Sequence, residues 1–164
     1  MDQSLSFEHE IAAMLPRLRR FAHALSRNGS DADDLTQAAI ERALRSKAQW
    51  LPGTRLDSWL FRIMRNLWID TVRSRSRRER FEAPVEELEQ LGEDPRDAVE
   101  ASLELQRVMA AMERLPDEQR EVVALILIEG FGYRETAELL GLPIGTVSSR
   151  LVRGRTALLG LVGM

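Results

Sequence analysis

Apolar residues recur three and four positions apart through most of this chain, and its 10 glycines and 6 prolines are too few to interrupt the pattern often. That period belongs to helices with one buried face, so the chain reads as all-α with no strand of consequence. Breaks fall at Asn28-Gly29, Pro52-Gly53, Leu115-Pro116, Gly130 with Gly132, and Gly141. No apolar run approaches the roughly 18 residues of a membrane-spanning helix. The opening MDQSLSFEHEIAAMLPRLRR carries acids and a proline where a secretory leader needs basic and then apolar residues. The absence of cysteine excludes disulfides, thiolate nucleophiles and cysteine-ligated zinc, and is compatible with a reducing cytoplasm.

Charge divides the chain further. The net charge of −3 is the balance of +5 over residues 1–81, −8 over residues 82–104 and zero over residues 105–164. This predicts a basic N-terminal helical domain (1–81), an acidic linker (82–97) and a C-terminal domain (98–164). The linker holds Pro84, Gly92 and Pro95 among seven acids between Glu82 and Asp97, which suits either a mobile segment or a solvated helical hairpin. At 164 residues, two small domains each have a thin core.

In the first domain, Pro16 to Leu25 forms an amphipathic helix with Leu15, Leu18, Ala22 and Leu25 on one side. Ser30 followed by Asp33 reads as the N-cap of a helix from about Asp31 to Arg45. Leu35, Ala39, Ala43, Ile40 and Leu44 should face the core there, leaving Asp34, Gln37, Glu41 and Arg45 on the opposite side. Taken alone, that polar stripe is a solvent face. A third helix from Asp57 or Ser58 to about Arg77 buries Leu60, Ile63, Met64 and Leu67. Its other side aligns Arg62, Asn66, Asp70, Arg73 and Arg77. Five arginines between Arg73 and Arg80 repel one another unless a polyanion neutralises them, although the helix dipole also favours cations at a C-terminal end. The preceding loop, Trp50 to Arg55, has the aromatic, backbone donors and cation that grip an unstacked base; Trp50 is equally suited to anchoring a core.

In the last third, helices over Ala98–Arg114 and Asp117–Glu129 precede a helix-turn-helix. Gly130 and Gly132 turn into Tyr133–Leu140, Gly141 ends that helix in a positive-φ conformation, and the final helix starts between Pro143 and Thr146. With Val147, Leu151 and Leu158 inward, Thr146, Ser148, Ser149, Arg150, Arg153 and Arg155 are left for DNA. Their hydroxyls and guanidiniums suit phosphates, and one or two can reach base edges. The competing reading is an ordinary three-helix bundle with a basic surface. Catalysis finds no support: His9 and His23 lack partners for metal or nucleophilic chemistry, and no glycine-rich phosphate loop is present. No catalytic residue, metal or cofactor is expected.

Three stretches occur in order: DADDLTQAAIERAL, RLDSWLFRIMRNLWIDTVRSRSRR and LPDEQREVVALILIEGFGYRETAELLGLPIGTVSSRLVRGR. Together they resemble the bacterial sigma-70 family, in particular its small extracytoplasmic-function members, which keep regions 2 and 4 joined by a linker. The resemblance covers nearly the whole chain. It implies a sigma factor that binds core RNA polymerase and directs it to promoter DNA in the cytoplasm. Asp33, Asp34, Gln37 and Glu41 then contact the clamp helices of the large subunit. Gly53, Thr54, Arg55, Arg62, Asn66, Arg73 and Arg77 melt and read the −10 element, while the six α-helical residues from Thr146 to Arg155 named above read the −35 element. It also implies an anti-sigma partner and an acidic linker that lies in the RNA exit path, with Trp59 in the core and Asp70 paired to a neighbouring arginine. Thr136 and Gly154 depart from the family pattern, and a helical glycine costs about 1 kcal/mol relative to alanine. Two alternatives stand beside this reading: a sigma mimic that sequesters an anti-sigma protein, and a stand-alone helix-turn-helix regulator.

Overall fold

A computed structural model of the chain describes residues 3–80 and 103–163, and among them every regular element is helical. The first half comprises α1 (Gln3–Ala13), α2 (Leu15–Ser26), α3 (Gly29–Arg45) and the long α4 (Leu56–Glu79), with a single 3-10 turn at Lys47–Gln49. The second half comprises α5 (Leu103–Glu113), α6 (Asp117–Val123), α7 (Tyr133–Leu140) and α8 (Ile144–Val162). The acidic linker expected at 82–97, and the expected start of the following helix at Ala98, lie outside the described residues. No described helix is long and apolar enough to cross a membrane.

In the first half, α2, α3 and α4 pack around Leu18, Phe21, Ala22, Leu35, Ala39, Ala43, Leu60, Phe61 and Met64. The turn between α2 and α3 differs from the sequence expectation. The left-handed residue ending α2 is Arg27, at φ 60°, and the N-cap of α3 is Asn28 rather than Ser30. The Asn28 carboxamide oxygen accepts from Asp31 N–H at 3.1 Å, so α3 begins two residues earlier than Ser30 would place it. Leu44, expected in the core, is exposed although Ala43 beside it is fully buried, so it points away from the covered side of α3; Ile40 is half-buried. Helix α1 has no counterpart in the sequence expectation: among its described side chains Phe7 and Ile11 are the buried ones, too short a stripe to show a clear period.

In the second half, α6 carries the core residues Val122 and Val123. The chain then widens into a π-helical turn over Ala124–Ile128, in which Ala124 and Leu125 are buried and Leu127 and Ile128 emerge into solvent. Gly141 takes φ 65° and ends α7 as expected, and Val147 and Leu151 of α8 are buried while Leu158 is half-buried. Gly154 changes in meaning. A Cβ there would lie 2.8 Å from Val123 Cγ2 and 3.2 Å from Gln119 Cβ, so the missing side chain is what lets α8 close on α6. Replacement of Gly154 by alanine should therefore destabilise the chain by about 1–2 kcal/mol through overpacking, outweighing the propensity gain of about 1 kcal/mol. Urea denaturation measures the difference, and a stabilised variant would contradict this packing.

Candidate nucleic-acid interface

Helix α3 presents Asp33, Asp34, Gln37 and Glu41 to solvent along one face, and no ion pair engages them among the described residues. One turn earlier, Asp31 is taken by Arg75 of α4 through two hydrogen bonds of 2.7 and 2.9 Å, while the Arg75 guanidinium also lies 5.7 Å from the Trp68 ring centre. The Arg75 hydrogen bond holds the Asp31 carboxyl below the usual carboxylate range against the cost of its burial. The acidic face and the arginine-rich end of α4 are thus fastened to each other.

Along α4, Arg62, Asn66, Arg73 and Arg77 are exposed, and the three arginines have no carboxylate partner among the described residues. Arg73 and Arg77 line one open groove together with Asp70, Ser76 and Arg80. Of the other α4 arginines, Arg65 turns toward Glu121 and Arg75 toward Asp31, while Arg78 is exposed beside Arg77. Asp70, expected to pair with an arginine, stays exposed with no ion pair among the described residues; Arg75 in that stretch pairs with Asp31. Trp59 is half-buried against the core, as expected.

The loop before α4 displays Leu51 to Arg55. Gly53 sits at φ 90° with open space where a Cβ would be, and the Thr54 N–H and hydroxyl both donate to the Leu51 carbonyl, at 3.2 and 2.6 Å. Trp50 is half-buried and packs on Phe7, so in this arrangement it is an anchor and not a stacking platform. Arg55 is not free. It donates to Asp57 at 2.8 and 3.1 Å and to Glu135 of α7, and its guanidinium carbon lies 4.7 Å from the Phe131 ring centre.

On α8, Arg153 and Arg155 are exposed, whereas Thr146, Ser148, Ser149 and Arg150 are half-buried. Arg153 donates to the Ser149 hydroxyl one turn back at 2.7 Å, and Arg150 lies 3.6 Å from Glu118. The six residues thus share one helix, with the two outer arginines most accessible to a phosphate backbone.

Residues that sequence reasoning passed over join the two halves. Glu129, its side chain only 2 % exposed, receives Arg17 at 2.8 Å and Arg20 at 3.0 Å. Arg65 donates to Glu121, and Arg27 reaches Asp117 at 2.8 Å and the Leu115 carbonyl at 2.5 Å. Arg120 is buried and donates to the carbonyls of Ala24 and Leu25 at the end of α2, to the Leu115 carbonyl and to Asp117. An aromatic row crosses the same boundary: Phe21 to Phe61 at 4.9 Å and Phe61 to Phe131 at 5.5 Å, edge on. Charges on α6 show no partner in one dimension; only their burial, visible once the halves are packed, marks them.

Residues 11–78 match the family model of Sigma-70 region 2, and residues 105–158 that of Sigma-70 region 4. The chain is 39% identical over 157 residues to the ECF RNA polymerase sigma factor EcfG of Rhodopseudomonas palustris, covering 96% of this chain and 85% of that one. It is 40% identical over 156 residues to the ECF RNA polymerase sigma factor SigE of Mycolicibacterium smegmatis, with 93% of this chain and 60% of that one covered. Among solved structures, the sigma factor RpoE in complex with the anti-sigma factor NepR from Bartonella quintana superposes with a TM-score of 0.84 at 34% identity, over 97% of this chain and 98% of that one.

The interdomain pair Arg65–Glu121 has a pH signature. Burial pushes the Glu121 carboxyl above its ordinary range, although Arg65 donates to it and the charges of Arg65, Arg150 and Arg120 pull the other way. The folded state therefore binds this proton more tightly than the unfolded chain does. The resulting contribution grows as pH falls through the raised pKa, is complete below the ordinary value of 4.5, and is lost as pH rises. Asp31 and Asp57 have the opposite sign: burial opposes ionisation of Asp57, but Arg55, the Ser58 N–H and Arg17 outweigh it. The stability that both acids add is present above 3.8 and lost as pH falls through their lowered values. As pH falls toward the ordinary value of 4.5, unfolding free energy of the wild type should thus gain on that of Glu121→Gln. Parallel curves in urea titrations would refute the assignment.

Proposed function

Because the chain belongs to the sigma-70 family, as an RNA polymerase sigma factor of the ECF kind, we propose a division of labour among its surfaces and a resting state for the free protein. Residues 1–81 form the polymerase-binding and −10 unit, residues 82–97 the acidic linker and residues 98–164 the −35 unit. Asp33, Asp34, Gln37 and Glu41 meet the clamp helices of the large polymerase subunit. Arg62, Asn66, Arg73 and Arg77 follow the backbone of the melted strand, and Gly53, Thr54 and Arg55 hold a base flipped out of it. Thr146, Ser148, Ser149, Arg150, Arg153 and Arg155 meet the −35 duplex.

The observation that carries the −10 assignment is the sorting of arginines on α4: Arg65 and Arg75 are consumed by Glu121 and Asp31, whereas Arg62, Arg73 and Arg77 stay exposed on one side. Unneutralised guanidiniums at helical spacing favour a polyanion, and their phosphate contacts together with base capture offset an unstacking cost of a few kcal/mol. The protein acts as a transcription initiation factor and not as an enzyme, and works in the cytoplasm.

The resting state follows from Arg55. Glu135 and Phe131 engage that guanidinium in the closed form, so its use in base capture calls for α7 to move off the loop before α4. The solved relative is a sigma factor complexed with its anti-sigma factor, and the likeness in arrangement extends over both halves. That likeness supports the closed form as the one an anti-sigma partner keeps, and engagement of polymerase as the event that parts the halves.

Purified core polymerase with this chain should yield promoter-specific transcripts, while the chain alone binds promoter DNA weakly. The double replacement Arg62→Ala with Arg73→Ala should lower open-complex formation by about tenfold or more while core binding persists. Tight, polymerase-independent binding to an operator, or unimpaired melting by the double variant, would sink this reading.

A further inference from the structure

Helix α1 touches both ends of the loop assigned to base capture. Phe7 is 2 % exposed, and its ring centre lies 5.4 Å from that of Trp50, at an interplanar angle of 41°, and 6.2 Å from that of Trp59, at 58°. Trp50 immediately precedes Leu51, and Trp59 lies one turn beyond Arg55, joined to its carbonyl by a backbone hydrogen bond of 3.5 Å. Lys47, at the other end of the 3-10 turn that Trp50 closes, places its ammonium 5.4 Å over the same Phe7 ring. One aromatic side chain thus gathers the entrance of the loop, its exit and the turn before it.

The Trp50 indole makes this contact decisive. Its Nε1–H is buried with no hydrogen-bond partner among the described residues. A hydrogen bond would fix the direction of the ring; without one, packing against Phe7 does so. Beyond Trp50 the loop is tied by the bonds of Thr54 to Leu51 and of Arg55 to Asp57, and Leu51, Pro52, Gly53 and Thr54 are all exposed. In the closed form Arg55 has a second restraint from the other half of the molecule, through Glu135 and Phe131. When the halves part, that restraint goes and the Phe7 contact stays.

We propose that α1 belongs to the −10-reading unit, with Phe7 the positioning residue that holds Trp50, and through it loop 51–55, in the conformation that meets the displaced strand. The proposal rests on the assignment of that loop to base capture. It extends the unit beyond the region 2 match, which begins at residue 11. Phe7 does not touch the strand; it removes the conformational freedom that the loop would otherwise lose on binding, and so raises affinity without adding a contact.

The test uses the full chain in holoenzyme with core polymerase. The probes are a promoter fragment selected by the wild-type holoenzyme from genomic DNA and a single-stranded oligonucleotide spanning its non-template bubble. Phe7→Ala should raise hydrogen exchange of the hydrogen-bonded Trp50 and Thr54 amides in the free chain by about tenfold and leave α3 unchanged. It should weaken oligonucleotide binding by about tenfold and core binding by less than about twofold. Phe7→Leu, which keeps apolar bulk in case the alanine variant fails to fold, should fall between wild type and alanine on both readouts. Unchanged exchange in the loop overturns the proposal, as does a parallel rise in α3, which marks a merely structural role. Arg55→Ala serves as the control for the underlying assignment. If it leaves oligonucleotide binding intact, base capture by this loop is wrong, while the exchange data still judge whether Phe7 holds it.

Discussion

Arg120 is the residue on which the arrangement of the two halves depends. It projects from α6 of the second half into the end of α2 in the first, where the last carbonyls of a helix have no partners of their own and carry partial negative charge. Its guanidinium donates to Ala24 and Leu25 there, and to Leu115 and Asp117 at the start of its own helix. A buried charge is tolerated only when its donors are met, and here they are met from both sides of the boundary. Arg27 completes the junction from the opposite direction, its left-handed backbone aiming its side chain at Leu115 and Asp117.

Once this junction is formed, the remaining contacts are placed by it. Glu129 comes between Arg17 and Arg20, Glu121 meets Arg65, and Phe131 continues the row begun by Phe21 and Phe61. The interface is therefore held by charge pairs around an aromatic centre. Such a boundary is suited to opening, since water re-solvates exposed arginines and carboxylates readily, whereas a purely apolar seam of the same size would resist it. The same packing brings α7 against the loop before α4 and occupies Arg55.

Much of this was legible in one dimension. Helical period, sparse breaks and the turn glycine at 141 sufficed for seven of the helices in outline, and the exposed arginine stripe of α4 lies where its spacing placed it. What escaped was set by tertiary contact. Helix α1, anchored by Phe7 and Ile11 among its described side chains, shows itself by what it covers. Asn28 displaced Ser30 as the cap because Arg27 could take the left-handed turn, stabilised by partners 88 and 90 residues away. Gly154 looks like a cost on a helix taken alone and is a fitting surface beside Val123. Glu121, Glu129 and Arg120 resemble ordinary solvent-facing charges, because burial at an interface between domains leaves no periodic trace.

The central claim is that the two halves are closed on each other in the free protein and must separate for initiation. The absence of native cysteines permits a direct measurement. Cysteines introduced at Arg27 and Asp117, joined by a short cleavable bis-maleimide, would lock the junction between α2 and α6. Locked protein assembled with core polymerase should give no promoter-specific transcript, and cleavage of the tether should restore it. Full transcription by the locked protein would show that the halves need not part.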